Sequence, residues 1–150
     1  MIELDSDERY MRMAMTEARQ AAAEGEVPIG AVVVSPRGRI LGRGHNQTEA
    51  LGDVTAHAEM IAISAAAQAL GGKYLSDCTL YVTVEPCLMC AGALGWSQTG
   101  RIVYGCEDPR RGFSSMTSRS PFHPKAKVSG GILADECRRI MQDFFKSLRN

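Results

Sequence analysis

The sequence predicts an α/β domain of three layers around a central sheet, and three observations predict it. Apolar residues recur at helical spacing in several segments; short β-branched runs separate those segments; and the two kinds of segment alternate in the order α-β-β-α-β-α-β-α. With 150 residues, 45% hydrophobic and 23% charged, the chain is long enough for one sizeable core and is read as one domain, 1–150. No repeat, low-complexity tract or linker divides it.

The first helix is expected over Asp7 to Glu24. Tyr10, Met11, Ala14, Met15, Ala18 and Ala21 form its apolar stripe, Gly25 stops it, and Asp5 with Glu8 would cap its start. Ile29 to Val34 and the run at Ile40-Leu41, joined by Pro36-Arg37-Gly38, read as a hairpin. A polar loop over His45 to Asp53 leads to a helix from Ala56 to Leu70, closed by Gly71-Gly72. Thr79 to Val84 reads as a buried strand, and Pro86 suits the first turn of a helix reaching Trp96. Arg101 to Tyr104 is a further strand, Glu107 to Lys127 a long polar loop, and a last helix starts near Ile132 with Leu133, Cys137, Ile140, Met141, Phe144 and Phe145 on one face.

Composition narrows the function classes. No apolar run approaches the roughly 20 residues of a membrane span. The start, MIELDSDERY, is acidic and lacks the basic and apolar stretches of a signal peptide, so a cytoplasmic location without membrane association is expected. A net charge of zero removes any argument for nucleic-acid binding from overall charge, though not from a local basic face. The five cysteines are odd in number and predict no disulfide framework; metal binding or catalysis is the better reading of a close pair.

The close pair is Cys87-Leu-Met-Cys90. Alone it is equally a redox pair or two buried thiols, and a lone His57 among alanines is ordinarily a packed side chain. Together they form a set. Zinc favours thiolate and imidazole, and a catalytic site keeps three protein ligands and one water, which His57, Cys87 and Cys90 satisfy. A helix N-terminus under the Cys-x-x-Cys favours thiolate over thiol. Glu59 lies two residues beyond His57, about 200° around a helix, and so does not share its face in mid-helix. At a first turn lying end-on to the site both would border it, and Glu59 is read as general acid/base rather than fourth ligand. The combination H-x-E and then P-C-x-x-C matches a known signature of zinc nucleobase deaminases.

On these residues the chain resembles the cytidine and deoxycytidylate deaminase superfamily, and more closely the bacterial tRNA-specific adenosine deaminases. The resemblance is carried by Glu26-Val-Pro-Ile-Gly-Ala-Val-Val-Val34, Gly44-His-Asn46, Asp53-Val-Thr-Ala-His-Ala-Glu59, Thr79 to Ala93, and Gly131-Ile-Leu-Ala-Asp-Glu-Cys137 with Phe144-Phe145. It implies a three-layer α/β/α cytidine-deaminase-like fold with a mixed sheet of about five strands. It further implies one zinc ion per subunit on His57, Cys87 and Cys90, and hydrolysis of wobble adenosine to inosine in a tRNA anticodon loop, with release of ammonia. Glu59 would shuttle protons and Asn46 would contact the flipped-out nucleoside. Asp108, Phe145 and Arg149 match regions that touch RNA, and the family implies a homodimer. The alternative substrate is a free nucleobase or nucleoside: guanine, cytosine or cytidine.

The chain departs from that family after Asp108, where Pro109 to Lys127 replaces a small-residue stretch. Arg110, Arg111, Arg119, Lys125 and Lys127 with Phe113 and Phe122 read two ways: cations and stacking aromatics for a single-stranded RNA loop, or a solvated loop with both aromatics packed inward. His45 and His123 are expected to be loop residues, and Cys78, Cys106 and Cys137 structural thiols.

Overall fold

The computed structural model describes residues 2–149, with side chains from Ser6 onward. The alternation of the β1 side chains shows why three layers form. Along β1 (Gly30–Val34), Ala31 and Val33 join one buried cluster while Val32 and Val34 join the other. Every β1 residue is buried, so both faces must be covered by helices. β1 pairs antiparallel with β2 (Ile40–His45) and with β3 (Thr79–Val84), and β4 (Arg101–Cys106) and β5 (Lys127–Ser129) add in parallel beyond β3. The result is one mixed five-stranded sheet in the order β2-β1-β3-β4-β5.

The long helix α1 (Ile2–Ala23) and the last helix α6 (Ala134–Leu148) cover one face. All six expected α1 stripe residues are buried, with Met11 and Met15 packed against Val32, Tyr81 and Val103. α1 is already helical at Asp5, so capping by Asp5 and Glu8 does not mark its start; the Asp5 side chain lies outside the described residues. A buried link that periodicity does not reveal ties α1 to the sheet. Arg101 donates from both guanidinium nitrogens to the Asp7 carboxylate at 2.7 and 2.6 Å, and the Tyr81 hydroxyl donates to it at 2.6 Å.

On the other face, α3 (Ala58–Leu70) and α4 (Leu88–Trp96) pack Ala58, Ala62, Ala66, Ala91 and Leu94 onto Ala31, Val33, Leu80, Val82 and Ile102. α3 lies unusually low on β2. A Cβ on Gly42 or Gly44 would overlap the Ala62 and Ala58 carbonyls, so only glycine permits this approach. That contact sets the height of the first turn of α3 above the sheet, and with it His57.

Several expected boundaries move. His45 is the last residue of β2, not a loop residue, and its ring bonds Glu17 and Glu24 of the α1 region at 3.3 and 3.0 Å. The polar 45–53 segment holds a single helical turn, α2 (Thr48–Leu51). α3 and α4 begin two residues later than expected, with His57 and Cys87 as N-caps, so Pro86 precedes the helix instead of opening it. The 107–127 segment contains a short helix, α5 (Phe113–Met116), and leads into β5 at Lys127. Its aromatics point inward: Phe113 and Phe122 meet edge to face at 4.8 Å and Phe122 is buried, while Arg110, Arg111, Arg119, Lys125 and Lys127 stay exposed. The inward reading of the loop therefore holds for the aromatics. Cys78, Cys106 and Cys137 are buried free thiols, as expected.

Candidate active site

The end of the sheet where β1 begins and β2, β3 and β4 finish carries all the expected site residues. Gly30 pairs with His45, and the Gly30 N–H is bonded by the Thr83 hydroxyl, so these strand ends lie side by side. Two helices start directly above them. His57 and Cys87 both adopt the extended backbone of an N-cap, at φ −78°, ψ 154° and φ −71°, ψ 171°. Both caps thereby turn their side chains toward the space between the two helix starts, and Cys90 reaches it from the first turn of α4.

The three donors meet there. His57 Nδ1 lies 3.6 Å from Cys87 Sγ and 3.5 Å from Cys90 Sγ. A tetrahedral ion with Zn–S of about 2.3 Å and Zn–N of about 2.0–2.1 Å demands an S···N edge of about 3.6 Å. The donor set thus fits zinc in both chemistry and dimension. Among the described residues these three form the one His/Cys/Asp/Glu group close enough to share an ion, and no fourth protein donor closes it.

The electrostatics follow from the helix starts and from burial. The hydrogen bond from Cys90, aided by His57 and the Cys90 backbone N–H, pulls the Cys87 thiol down to about 4 against burial. Its bond to Cys87 and its own burial push the Cys90 thiol up, so the pair holds one proton that a bound dication would displace. The bond to Cys87 also raises His57. Glu59 is 3% exposed, and burial first of all, with the neighbouring Cys87 charge, raises it to about 7. As second residue of α3 it lies end-on to the cluster, outside the group of donors. A carboxyl that gains and loses a proton near neutrality beside such a site is suited to proton transfer.

The four expected substrate residues fall into two places. Asn46 is 8% exposed; its backbone N–H bonds the Ile29 carbonyl at 3.1 Å, and the next N–H, of Gln47, bonds Ala56 at 2.9 Å. This puts it beside the residue preceding His57. Asp108, Phe145 and Arg149 instead line one cavity of about 890 Å³, together with Ile29 and Val84. None of His57, Glu59, Cys87, Cys90 or Asn46 lines that cavity; it adjoins them through Ile29 and through Val84, which leads into Glu85-Pro86-Cys87. The Asp108 carboxylate accepts the N–H groups of Arg110 and Arg111 at 3.0 Å each, which shapes the turn carrying those arginines along the cavity. Arg138 lines it as well and was not expected from sequence. Its signal was available: positions 138, 142, 145 and 149 recur at helical spacing and share one face of α6.

The comparisons with known proteins agree with this geometry. Residues 4–106 match the family model for the cytidine and deoxycytidylate deaminase zinc-binding region. The tRNA-specific adenosine deaminase of Bacillus subtilis strain 168 is 43% identical, over 97% of this chain and 92% of its own. A solved structure from work on A-to-I editing by tRNA:A34 deaminases at the wobble position is 41% identical with a TM-score of 0.81, covering 88% of this chain and 98% of that one. The guanine deaminase structure from Bacillus subtilis is 39% identical with a TM-score of 0.63, over 67% of this chain and 64% of that one. This chain belongs to the zinc-binding cytidine and deoxycytidylate deaminase family and, within it, groups with the tRNA-specific adenosine deaminases.

Proposed function

We propose that the protein hydrolyses adenosine to inosine at the wobble position of a tRNA anticodon loop and releases ammonia. The observation that carries the reading is the meeting of His57, Cys87 and Cys90 at zinc-ligand spacing with the buried Glu59 carboxyl beside them. The relatives named as tRNA-specific adenosine deaminases, similar over nearly the full chain, support the choice of substrate.

In this reading His57, Cys87 and Cys90 hold one zinc ion per subunit. When bound, that ion lowers the pKa of a water toward neutrality. Glu59 does the proton work. It takes one proton from the attacking water and passes it to the purine ring nitrogen as the C6–O bond forms. It then takes the remaining proton from the resulting C6 hydroxyl and delivers it to the amine, which leaves as ammonia as the C6–N bond breaks and the C6 carbonyl forms. Asn46, with an amide that both donates and accepts, orients a nucleoside extruded from its stack. Asp108, Phe145, Arg149 and the arginines of the cavity receive the flanking nucleotides, cations meeting phosphates and the ring meeting a base. The exposed apolar residues of α4, Leu88, Met89 and Trp96 (85% exposed), support a homodimer formed across that helix. Among the described residues no helix is long and apolar enough to cross a membrane. A tRNA substrate, as the relatives suggest, favours the cytoplasm as the protein's location.

The test is incubation of zinc-loaded protein with an anticodon stem-loop carrying a wobble adenosine, scored for inosine by mass. Inosine at that base alone is expected. Likeness to a guanine deaminase favours one second reading, deamination of a free nucleobase or nucleoside (guanine, cytosine or cytidine). Ammonia from such a base, with no inosine in the stem-loop, would establish it.

A further inference from the structure

Two buried carboxylates near the site have no place in the proton chemistry. Glu26 is 2% exposed and Glu85 is 3% exposed. A buried carboxylate is costly unless its oxygens are met by donors, so the donors show what each is for. Glu26 accepts the backbone N–H of Glu49 on one oxygen at 3.1 Å and that of Ala50 on the other at 2.8 Å. Glu85 accepts the Asp108 N–H on one oxygen at 3.1 Å, and on the other the Ser114 N–H and hydroxyl at 2.9 and 2.6 Å.

The two arrangements match. Glu26 lies just before β1 and Glu85 just after β3, at the same end of two neighbouring strands. Each carboxylate spreads its two oxygens over one connecting segment, Glu26 over the first-turn N–H groups of α2 and Glu85 over the Asp108 N–H and the Ser114 N–H and hydroxyl at the start of α5. The loop held by Glu26 follows Asn46; the loop held by Glu85 opens at Asp108 and carries Arg110 and Arg111. That second loop is also laid across the metal ligand, because Gly112 bridges to Cys87 and the Phe113 N–H bonds the Pro86 carbonyl at 2.9 Å. A Cβ on Gly112 would overlap the Glu85 carboxylate, so the fit is close on both sides.

We propose that Glu26 and Glu85 are a pair of positioning residues, buried clasps that fix the two loops walling the substrate path, one presenting Asn46 and the other Asp108. This rests on the proposed role of those loops in holding substrate. Both oxygens of each clasp are occupied, so glutamine, the same size but with one acceptor exchanged for a donor, disrupts half of it without emptying space.

The experiment is amide hydrogen exchange by NMR on zinc-loaded protein, paired with kinetics on the wobble-adenosine stem-loop. Glu26→Gln should speed exchange about tenfold or more at Glu49 and Ala50, and Glu85→Gln should do so at Asp108 and Ser114, each leaving the β1 and β3 amides unchanged. Zinc content should stay at that of the parent protein, and kcat/KM should fall about 10- to 100-fold through KM. Ser114→Ala loosens the second clasp from the loop side, and should speed exchange at Asp108 even if Glu85→Gln does not fold. Unchanged exchange at the clasped amides, or acceleration spread equally over β1 and β3, would overturn the proposal. Exchange is read without substrate: should the parent make no inosine, the tRNA reading fails while the clasps stand or fall on exchange alone.

Discussion

His57, Cys87 and Cys90 come from two helix starts separated by a single strand, whereas Asp108, Arg138, Phe145 and Arg149 come from a loop and the last helix, meeting only around a cavity. The first group is buried or half-buried, and its backbone is dictated by N-caps, by the end of β3 and by glycines that let α3 sit low on β2. The second is open to solvent, with Phe145 41% exposed and the arginines at the rim. The contrast teaches a division of labour. On the proposed function, bond-making chemistry would sit where the fold permits least movement, and recognition where side chains extend from the frame and can be exchanged without disturbing it. Changes in the first region should strike metal, turnover and stability together; changes in the second should strike binding alone.

The largest effect expected is that of Cys87→Ala. Removing one of three donors should abolish stoichiometric zinc by elemental analysis and bring activity below detection. The melting temperature should fall with it, because the ion ties the starts of α3 and α4; a drop of about 2–4 °C for each kcal/mol lost is expected for a chain of this length. Full zinc retention would remove Cys87 from the ligand set. Glu59→Gln comes next and separates metal from chemistry: zinc stays, while kcat falls about 10²- to 10⁴-fold. Parent-like turnover in that variant would end the proton-shuttle role.

Smaller effects should come from the cavity. Phe145→Ala should raise KM for the stem-loop about 5- to 150-fold, the range set by loss of one base stack, with kcat and zinc unchanged. Arg149→Ala should cost less, and its penalty should shrink as salt is added, as a phosphate contact requires. A matching loss of kcat in either variant would blur the division between the two regions.

The smallest effect on turnover belongs to Asp7→Asn, far from both. Burial works to raise the Asp7 carboxyl, yet bonds from Arg101 and Tyr81 and the Arg101 charge outweigh it and hold the carboxyl below its ordinary 3.8. A depressed folded-state value means stabilisation that is present above the unfolded value and lost as pH falls through the folded one. Asp7→Asn should therefore lower stability at pH 7 by about 1–3 kcal/mol. The gap from the parent should narrow below pH 4, and kcat/KM at 25 °C should not move. A gap independent of pH, followed by denaturant unfolding, would contradict the ionic origin.

The same contrast separates what could be read from the chain from what could not. The helix stripe at Tyr10 to Ala21, the buried strands at Ile29–Val34 and Thr79–Val84, and the H-x-E and P-C-x-x-C pairs are local patterns in which spacing alone states which side chains share a face or a helix end. The end-on placement of Glu59 followed from the same reasoning, since only a first turn lets residues two apart border one site. The residues that escaped notice act at long range. Glu26 holds a loop 23 residues away, Glu85 one that reaches 29 residues away, and Asp7 meets Arg101 across 94 residues. The inward turn of Phe113 and Phe122 and the strand at Lys127–Ser129 likewise needed their neighbours.

The layer order was legible in the chain because periodicity is a property of adjacent turns, and the family and the candidate donors His57, Cys87 and Cys90 were legible because two short motifs together match a known signature. Only the tertiary structure decided that two helix starts stand at zinc-ligand distance, that Asp108, Phe145 and Arg149 share one cavity, and which buried carboxylates hold the loops beside it. Those facts depend on where separate strands end in space, and that is set by sheet register and by the closeness of helix to sheet, which no local pattern records.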